Sequence, residues 1–302
     1  MTKDSNMIEF KYLDLLKLRG VQDFSSQNAH PNFSEQFGKD NVIKHILIDD
    51  FLKENYARLI ASEHEEIPQK YWIDYSHNNQ VKTGITDRSL MGRNTQSLIE
   101  ELSSASFIGW LSGLTGLKDM FVDPELDRAG LHRTEKNGFL SIHTEEESPP
   151  KHKHWKRRIT LLVYLSTDYE KSWGGNLELW DYKNRRMIQS ISPEFNRCVI
   201  FANSDNDYHG HPSPLNCPEN SARRSLALYY YQKTKEANRI TTTRYVSTPN
   251  DRITKRFLTR FNRFVLYIYA VLKRYTKLDD DSMNKVSSYF SKRYIKKNKL
   301  KK

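Results

Sequence analysis

Two short stretches of this chain carry residue types and spacings that could hold a metal ion. In Gly138–Glu145, GFLSIHTE, His143 and Glu145 stand two apart in an apolar, strand-like run. Alternate side chains of a strand leave on the same face, so the imidazole and the carboxylate point the same way. The stretch Asp207–Pro212, DYHGHP, offers a further imidazole from either His209 or His211. Two imidazoles and one carboxylate on one side of an ion leave its other coordination positions open. That arrangement suits non-haem Fe(II) that must also hold a cosubstrate and oxygen. An isolated HxE carries little weight in so polar a chain, and His143 alone reads more readily as a structural histidine than as a ligand. The surrounding elements decide.

Those elements are strands. RITLLVYLS (158–166), NLELW (176–180), MIQSIS (187–192), RCVIFA (197–202) and SLALYYYQ (225–232) are rich in β-branched and aromatic residues. Turn signals at Trp173-Gly174-Gly175, Asp181–Asn184 and Ser192-Pro193 separate them. Several short strands at this rhythm predict a barrel or jelly roll, whose mouth is a common ligand site. Upstream, HILIDDFL (45–52) reads as a strand running into a helix over 51–64, with Asp49 or Asp50 as its cap. Residues 67–95 are polar and read as irregular. Apolar residues from Leu98 to Leu114 recur at helical spacing within 95–117, with Gly113 and Gly116 at helix stops. The fold class expected is α+β with a mainly β core.

The chain has 302 residues, 37% hydrophobic and 12% aromatic, which is the composition of a globular protein with a sizeable core. Its net charge of +11 is uneven. Residues 252–302 hold 16 Lys and Arg against three Asp, whereas the other residues hold 32 against 34. The part bearing the HxE is therefore nearly neutral, which argues against nucleic acid as the substrate of that site. Cys198 and Cys217 have no metal-binding spacing, and Cys198 reads as plain core. With no secretory apolar region at the start and no apolar run of membrane-spanning length, a cytoplasmic setting is expected.

Taken together, these segments resemble the Fe(II)/2-oxoglutarate-dependent dioxygenases, specifically the prolyl 4-hydroxylase-like group. HILIDDFL and LTGLKDMFVDPEL (114–126) resemble the segments before the family's barrel, and GFLSIHTE resembles its metal-binding strand. RRITLLVYLS, WGGNLELWD, SPEFNRCVIFANSDNDYHGHP and RRSLALYYYQ follow in the family's order. The resemblance implies a double-stranded β-helix with supporting helices at the N-terminal side. It implies His143, Glu145 and His209 as metal ligands, the last at the family's HG position. It also implies Arg223, in the R-x-S-L pattern, as the partner of the far carboxylate of 2-oxoglutarate. His132, eleven residues before the first ligand, would help to hold that cosubstrate. Cofactors implied are Fe(II), 2-oxoglutarate and O2, with ascorbate as an external reductant. Most members of the group have Asp where this chain has Glu145, so the ligand type is kept with one more methylene. Relatives that halogenate lack the carboxylate, so its presence implies hydroxylation.

Several alternatives sit beside these expectations. Arg224 competes with Arg223 by strand parity, and Glu146 and Glu147 are further carboxylates. His211 shares a strand face with His209 but precedes Pro212 at the start of a loop. His152 and His154 invite a second metal site, although a loop at the substrate entrance suits them better. Residues 253–277 carry apolar residues at helical spacing with Lys and Arg between them. They predict a helix packed on the barrel, or a basic amphipathic helix that touches an anionic surface. The expected organisation is an arm over 1–37, the dioxygenase domain over 38–246 with its barrel core at about 130–232, and a basic extension over 247–302. The substrate is a prolyl residue, a free amino acid or a sugar. A non-catalytic binding module on the same fold is the other functional class.

Overall fold

The computed structural model describes residues 11–13, 43–77, 79–145, 148–149, 151–204, 207–238 and 243–246, together with 268 and 271. Most of the N-terminal arm, Glu146, Glu147 and nearly all of the basic extension lie outside the described residues. Of the arm, Tyr12 and Leu13 are buried, and Leu13 bridges to Leu52.

Among the described residues the fold is one antiparallel sheet that curls on itself, with three α-helices on one outer face. The strands in chain order are β1 (His45–Ile48), β2 (Ile73–His77), β3 (Gln80–Ile85), β4 (Phe121–Val122), β5 (Gly130–Thr134) and β6 (Phe139–Thr144). β7 (Trp155–Tyr164), β8 (Leu177–Asp181), β9 (Arg186–Ile191), β10 (Cys198–Ala202), β11 (Asp207–His211), β12 (Arg223–Lys233) and β13 (Arg244–Tyr245) complete the sheet. Their order is β1-β10-β7-β12-β5-β3-β6-β11-β8-β9, with β2 on β3, β4 on β12 and β13 on β6. The strands expected from β-branched and aromatic runs are all present, in the arrangement of a double-stranded β-helix.

Strand alternation divides the core in two. On β7, Ile159, Leu161 and Val163 face the helices, with Cys198 and Ile200 of β10 and Leu226 and Leu228 of β12. The helices α1 (Glu54–Glu66), α2 (Arg93–Leu102) and α3 (Ala105–Thr115) meet that face through Ile60, Leu98, Leu102, Phe107 and Leu111. The opposite face of the same strands joins Leu177 and Leu179 of β8, Val199 and Phe201 of β10, and Tyr164 inside the curl. The helical layer therefore stiffens one wall from behind while its other side lines the cavity.

Three local expectations are corrected. Helix α1 begins at Glu54 with Lys53 as its N-cap and no side-chain cap. Asp49 cannot serve, because its carboxylate takes both Nε and Nη2 of Arg197, at 2.6 and 3.1 Å. The helical pattern within 95–117 forms two helices, separated at Ser103 and Ser104, where the Ser104 hydroxyl caps α3 by accepting from the Phe107 N–H. Gly116 does end α3 in the left-handed conformation, at φ 73°, but Gly113 lies inside the helix. Residues 67–95 are not irregular throughout, since β2 and β3 pair as a hairpin from Ile73↔Gly84 to His77↔Gln80. Its strands are short and polar because they cover a polar cavity rather than a core.

Candidate metal and cosubstrate site

The sheet brings the two histidine stretches side by side. β11 pairs β6 with His209 opposite His143, so the two rings lie 4.6 Å apart between centroids. Glu145 stands one residue beyond the end of β6 and turns its Oε1 towards both rings, 3.6 Å from each Nε2. Among the described residues, His143, Glu145 and His209 form the one cluster of this kind, with ligand atoms all within 4.8 Å of one another.

The backbone presets the imidazoles. His143 Nδ1 faces the Ser141 carbonyl at 2.8 Å, and His209 Nδ1 faces the Asp207 carbonyl at 3.5 Å. A proton on Nδ1 donated to those carbonyls leaves each Nε2 as a lone pair aimed at the same point as Glu145. Burial, with the charge of His143, lowers the pKa of His209, which keeps that lone pair available at neutral pH. Burial alone would raise the Glu145 carboxyl. The Arg157 charge beside it and the bonds to both histidines outweigh burial and hold it well below the usual range. Arg157, on β7 and 1% exposed, places Nη1 2.6 Å from Glu145 Oε2. Its guanidinium lies over the Tyr229 ring at 3.7 Å and donates to the Tyr231 hydroxyl.

A cavity of about 160 Å³ opens beside the cluster, and both halves of the curled sheet line it. Arg223 enters it from β12, buried, with Nε donating to the Gly175 carbonyl at 2.9 Å and Nη2 to the Tyr164 hydroxyl at 3.1 Å. Among the described residues Nη1 has no hydrogen-bond partner. Gly175 sits at φ 78°, and a Cβ there would stand 2.6 Å from Leu215 and 3.2 Å from Arg223. The Trp-Gly-Gly turn thus lets the backbone approach the guanidinium and fix its plane. Arg224 points the other way, to Asp168 and Glu65 at 3.1 and 3.3 Å on the helix side. His132 of β5 and His211 both line the cavity, and burial lowers both well below the usual histidine value. Buried His211 leaves Nδ1 without a hydrogen-bond partner. His152 and His154 are not part of this cluster, since His152 stacks on Trp155 at 3.8 Å and His154 faces the Thr234 carbonyl.

The donor set fits a divalent iron with open positions: two imidazoles and one carboxylate, with a guanidinium and an orphaned imidazole nitrogen in the adjoining cavity. Four site residues went unnoticed in the sequence. Arg157 hides in the basic run KHKHWKRR, and Lys82 and Arg128 in polar segments without periodicity. Tyr245 comes from β13, whose pairing to His143 stacks its ring 5.4 Å from that imidazole. No local signal marks any of them, because the fold brings each to the site from a different part of the chain.

Residues 129–231 match the 2OG-Fe(II) oxygenase superfamily. Over 139 residues, the chain is 25% identical to "Prolyl 3-hydroxylase OGFOD1" of Mus musculus, covering 45% of this chain. The chain spans 23% of that relative's length. Among solved structures, it is similar to a prolyl hydroxylase from Trichoplax adhaerens in complex with a hypoxia inducible factor oxygen degradation domain peptide fragment. That match has 16% identity and a TM-score of 0.49, over 72% of this chain and 94% of that one. A Pseudomonas putida prolyl-4-hydroxylase matches at 12% identity and a TM-score of 0.44, over 67% and 97%. The segment 129–231 that matches the 2OG-Fe(II) oxygenase superfamily contains His143, Glu145, His209 and Arg223.

Proposed function

We propose that this chain is an Fe(II)- and 2-oxoglutarate-dependent dioxygenase that hydroxylates an unactivated C–H bond, with His143, Glu145 and His209 as its metal ligands. Its main support is the convergence of two Nε2 lone pairs and Glu145 Oε1 on one point beside a cavity that contains Arg223. Fe(II) held there supplies O2 activation coupled to decarboxylation of 2-oxoglutarate, so that the products are hydroxylated substrate, succinate and CO2.

The protein's own residues bind and orient. Arg223, braced by Gly175 and Tyr164, offers a planar guanidinium to the far carboxylate of 2-oxoglutarate, which fixes direction as well as affinity. Leu162, Leu177 and Phe201 flank the cavity and keep water from the cosubstrate's stem. His132 and His211, neutral at working pH, hydrogen-bond the cosubstrate or its neighbours rather than adding charge. Ascorbate would restore iron oxidised in futile turnovers.

A prolyl residue is one candidate substrate, in keeping with the name of the mouse relative, and a free amino acid or a sugar are others. The domain limits 38–246, a cytoplasmic location and an anionic contact by the basic extension belong to this same reading. Cys198 and Cys217, both buried and without a disulfide, accord with a reducing compartment. No helix among the described residues is long and apolar enough to cross a membrane. The other functional class, a binding module without catalysis, would follow from loss of a ligand or of Arg223, and all four are in place.

The test is succinate formation by iron-loaded protein under O2, together with the anaerobic absorbance change when 2-oxoglutarate is added. Slow succinate release without substrate and a shifted metal spectrum are expected. Iron-loaded protein that shows neither is not a 2-oxoglutarate oxygenase.

A further inference from the structure

Among the described residues, the cavity wall carries more positive charge than its proposed contents use. Lys82, Arg128 and Arg223 line it, and Glu145 is the one carboxylate on its wall among the described residues. Adding Fe(II) and the 2-oxoglutarate dianion changes the net charge by nothing, so the excess of cations remains. Arg223 has the cosubstrate, and Arg157 neutralises Glu145 from behind. Lys82 is left over, with Arg128 on the same wall.

Lys82 is the sharper of the two. β3 alternates so that Gln80 and Lys82 face the cavity, and β2 answers with Tyr75 and His77. Among the described residues the Lys82 ammonium has no carboxylate partner, and it lies 5.9 Å from the Tyr75 ring centroid. A cation drawn out of water without an anion is costly, and folding alone gives no reason to place one here. Burial lowers its pKa to about 8, against the pull of Glu145, and the charges of Arg223 and Arg128 act in the same direction as burial. At neutral pH it is still mostly protonated.

We infer that the wall of this cavity at Lys82, with Arg128 beside it, is a binding site for an anionic group of the substrate, a carboxylate or a phosphate. This rests on the proposed dioxygenase reading and selects among its substrates. A neutral prolyl residue within a peptide leaves Lys82 unmatched, whereas a free amino acid or a phosphorylated sugar pairs with it. Tyr75, Tyr229 and Tyr245 line the same cavity and offer the substrate's carbon frame flat surfaces to rest on.

The experiment uses full-length protein loaded with Mn(II), which binds 2-oxoglutarate without turning it over. Affinity for 2-oxoglutarate is read first by calorimetry; its absence would sink the dioxygenase reading itself, and with it this inference. The protein with Mn(II) and 2-oxoglutarate is then titrated with free amino acids against their amides, and with sugar phosphates against the parent sugars. An acid that binds at least about tenfold tighter than its neutral partner is expected, with the preference lost in Lys82→Met. The pair that shows it tells carboxylate from phosphate. Equal binding of acid and neutral forms, or no binding by any anion, overturns the inference. So does a Lys82→Met protein that loses 2-oxoglutarate affinity, because Lys82 would then serve the cosubstrate.

Discussion

Nη1 of Arg157 lies 2.6 Å from Oε2 of Glu145, and this pair divides the carboxylate between two tasks. Oε2 belongs to the guanidinium, which leaves Oε1 alone facing the two histidines at 3.6 Å. The longer arm of glutamate would otherwise allow several rotamers, and Arg157, itself clamped by Tyr229 and Tyr231, selects one.

Arg157→Met should therefore weaken the site in two separable ways. Removing one partner of a buried pair leaves the other uncompensated, which costs about 3–5 kcal/mol of stability. Loss of a residue that orients a ligand lowers metal affinity by about 10–100-fold. Urea denaturation of the metal-free protein reads the first effect and Fe(II) or Mn(II) titration the second. Unchanged metal affinity in a folded variant would show that Arg157 does not orient Glu145.

Arg223→Ala should raise the 2-oxoglutarate concentration needed for half-saturation while leaving metal content nearly intact. Truncating one side of such a charge pair commonly costs about 2–5 kcal/mol, or roughly thirtyfold or more in affinity. Arg224→Ala should leave 2-oxoglutarate binding alone, because that side chain pairs with Asp168 and Glu65 on the helix side. Its effect should be a modest loss of stability. The reverse pattern would mean that the functional register of β12 is off by one.

The strands were legible in the sequence because their β-branched and aromatic runs stand between clear turn residues. Strand spacing put His143 and Glu145 on one face, whereas His209 over His211 and Arg223 over Arg224 rested on the family resemblance, because spacing alone left both pairs open. The hairpin of β2 and β3 was not legible, since Tyr75, His77, Gln80 and Lys82 face a polar cavity and leave no apolar alternation to see. Arg157 looked like one more residue of a solvated basic run, and only its pairing opposite Tyr231 on β12 puts it in the interior. Asp49 looked like a helix cap until Arg197, far along the chain, claimed its carboxylate.

Stability should fall in acid below about pH 6.5, and His64 should account for part of it. His64 is fully buried against Trp72 and faces the His132 carbonyl, near Arg224 and Arg133. Burial lowers its pKa from 6.5 to about 3. Between those values the unfolded chain binds a proton that the folded chain refuses, so stability rises with pH across that window and drops as pH falls through it. The contribution is up to about 1.4 kcal/mol per pH unit for one proton. His64→Gln should show a shallower loss of unfolding midpoint between pH 6 and pH 4 than the parent protein. An identical slope would mean that His64 is protonated in the folded state.

The two histidines of β11 give the most direct test of the metal assignment. Both face the cavity, as strand parity requires, but a shift of register lies between them where β11 pairs β6. That shift sets His209 opposite His143 and His211 opposite Leu140, one step away from Glu145. His209 Nε2 consequently reaches Glu145 Oε1, whereas His211 lies outside the cluster with its Nδ1 unpartnered. On the proposed assignment, His209→Ala removes one of three ligands, and iron retention and succinate formation should fall together. His211→Ala removes a hydrogen-bonding group from the cosubstrate's cavity and should keep most of the iron while raising the 2-oxoglutarate requirement. Metal content after dialysis, measured on both variants beside the parent, separates the two. Iron lost from His211→Ala and kept by His209→Ala would move the third ligand to His211.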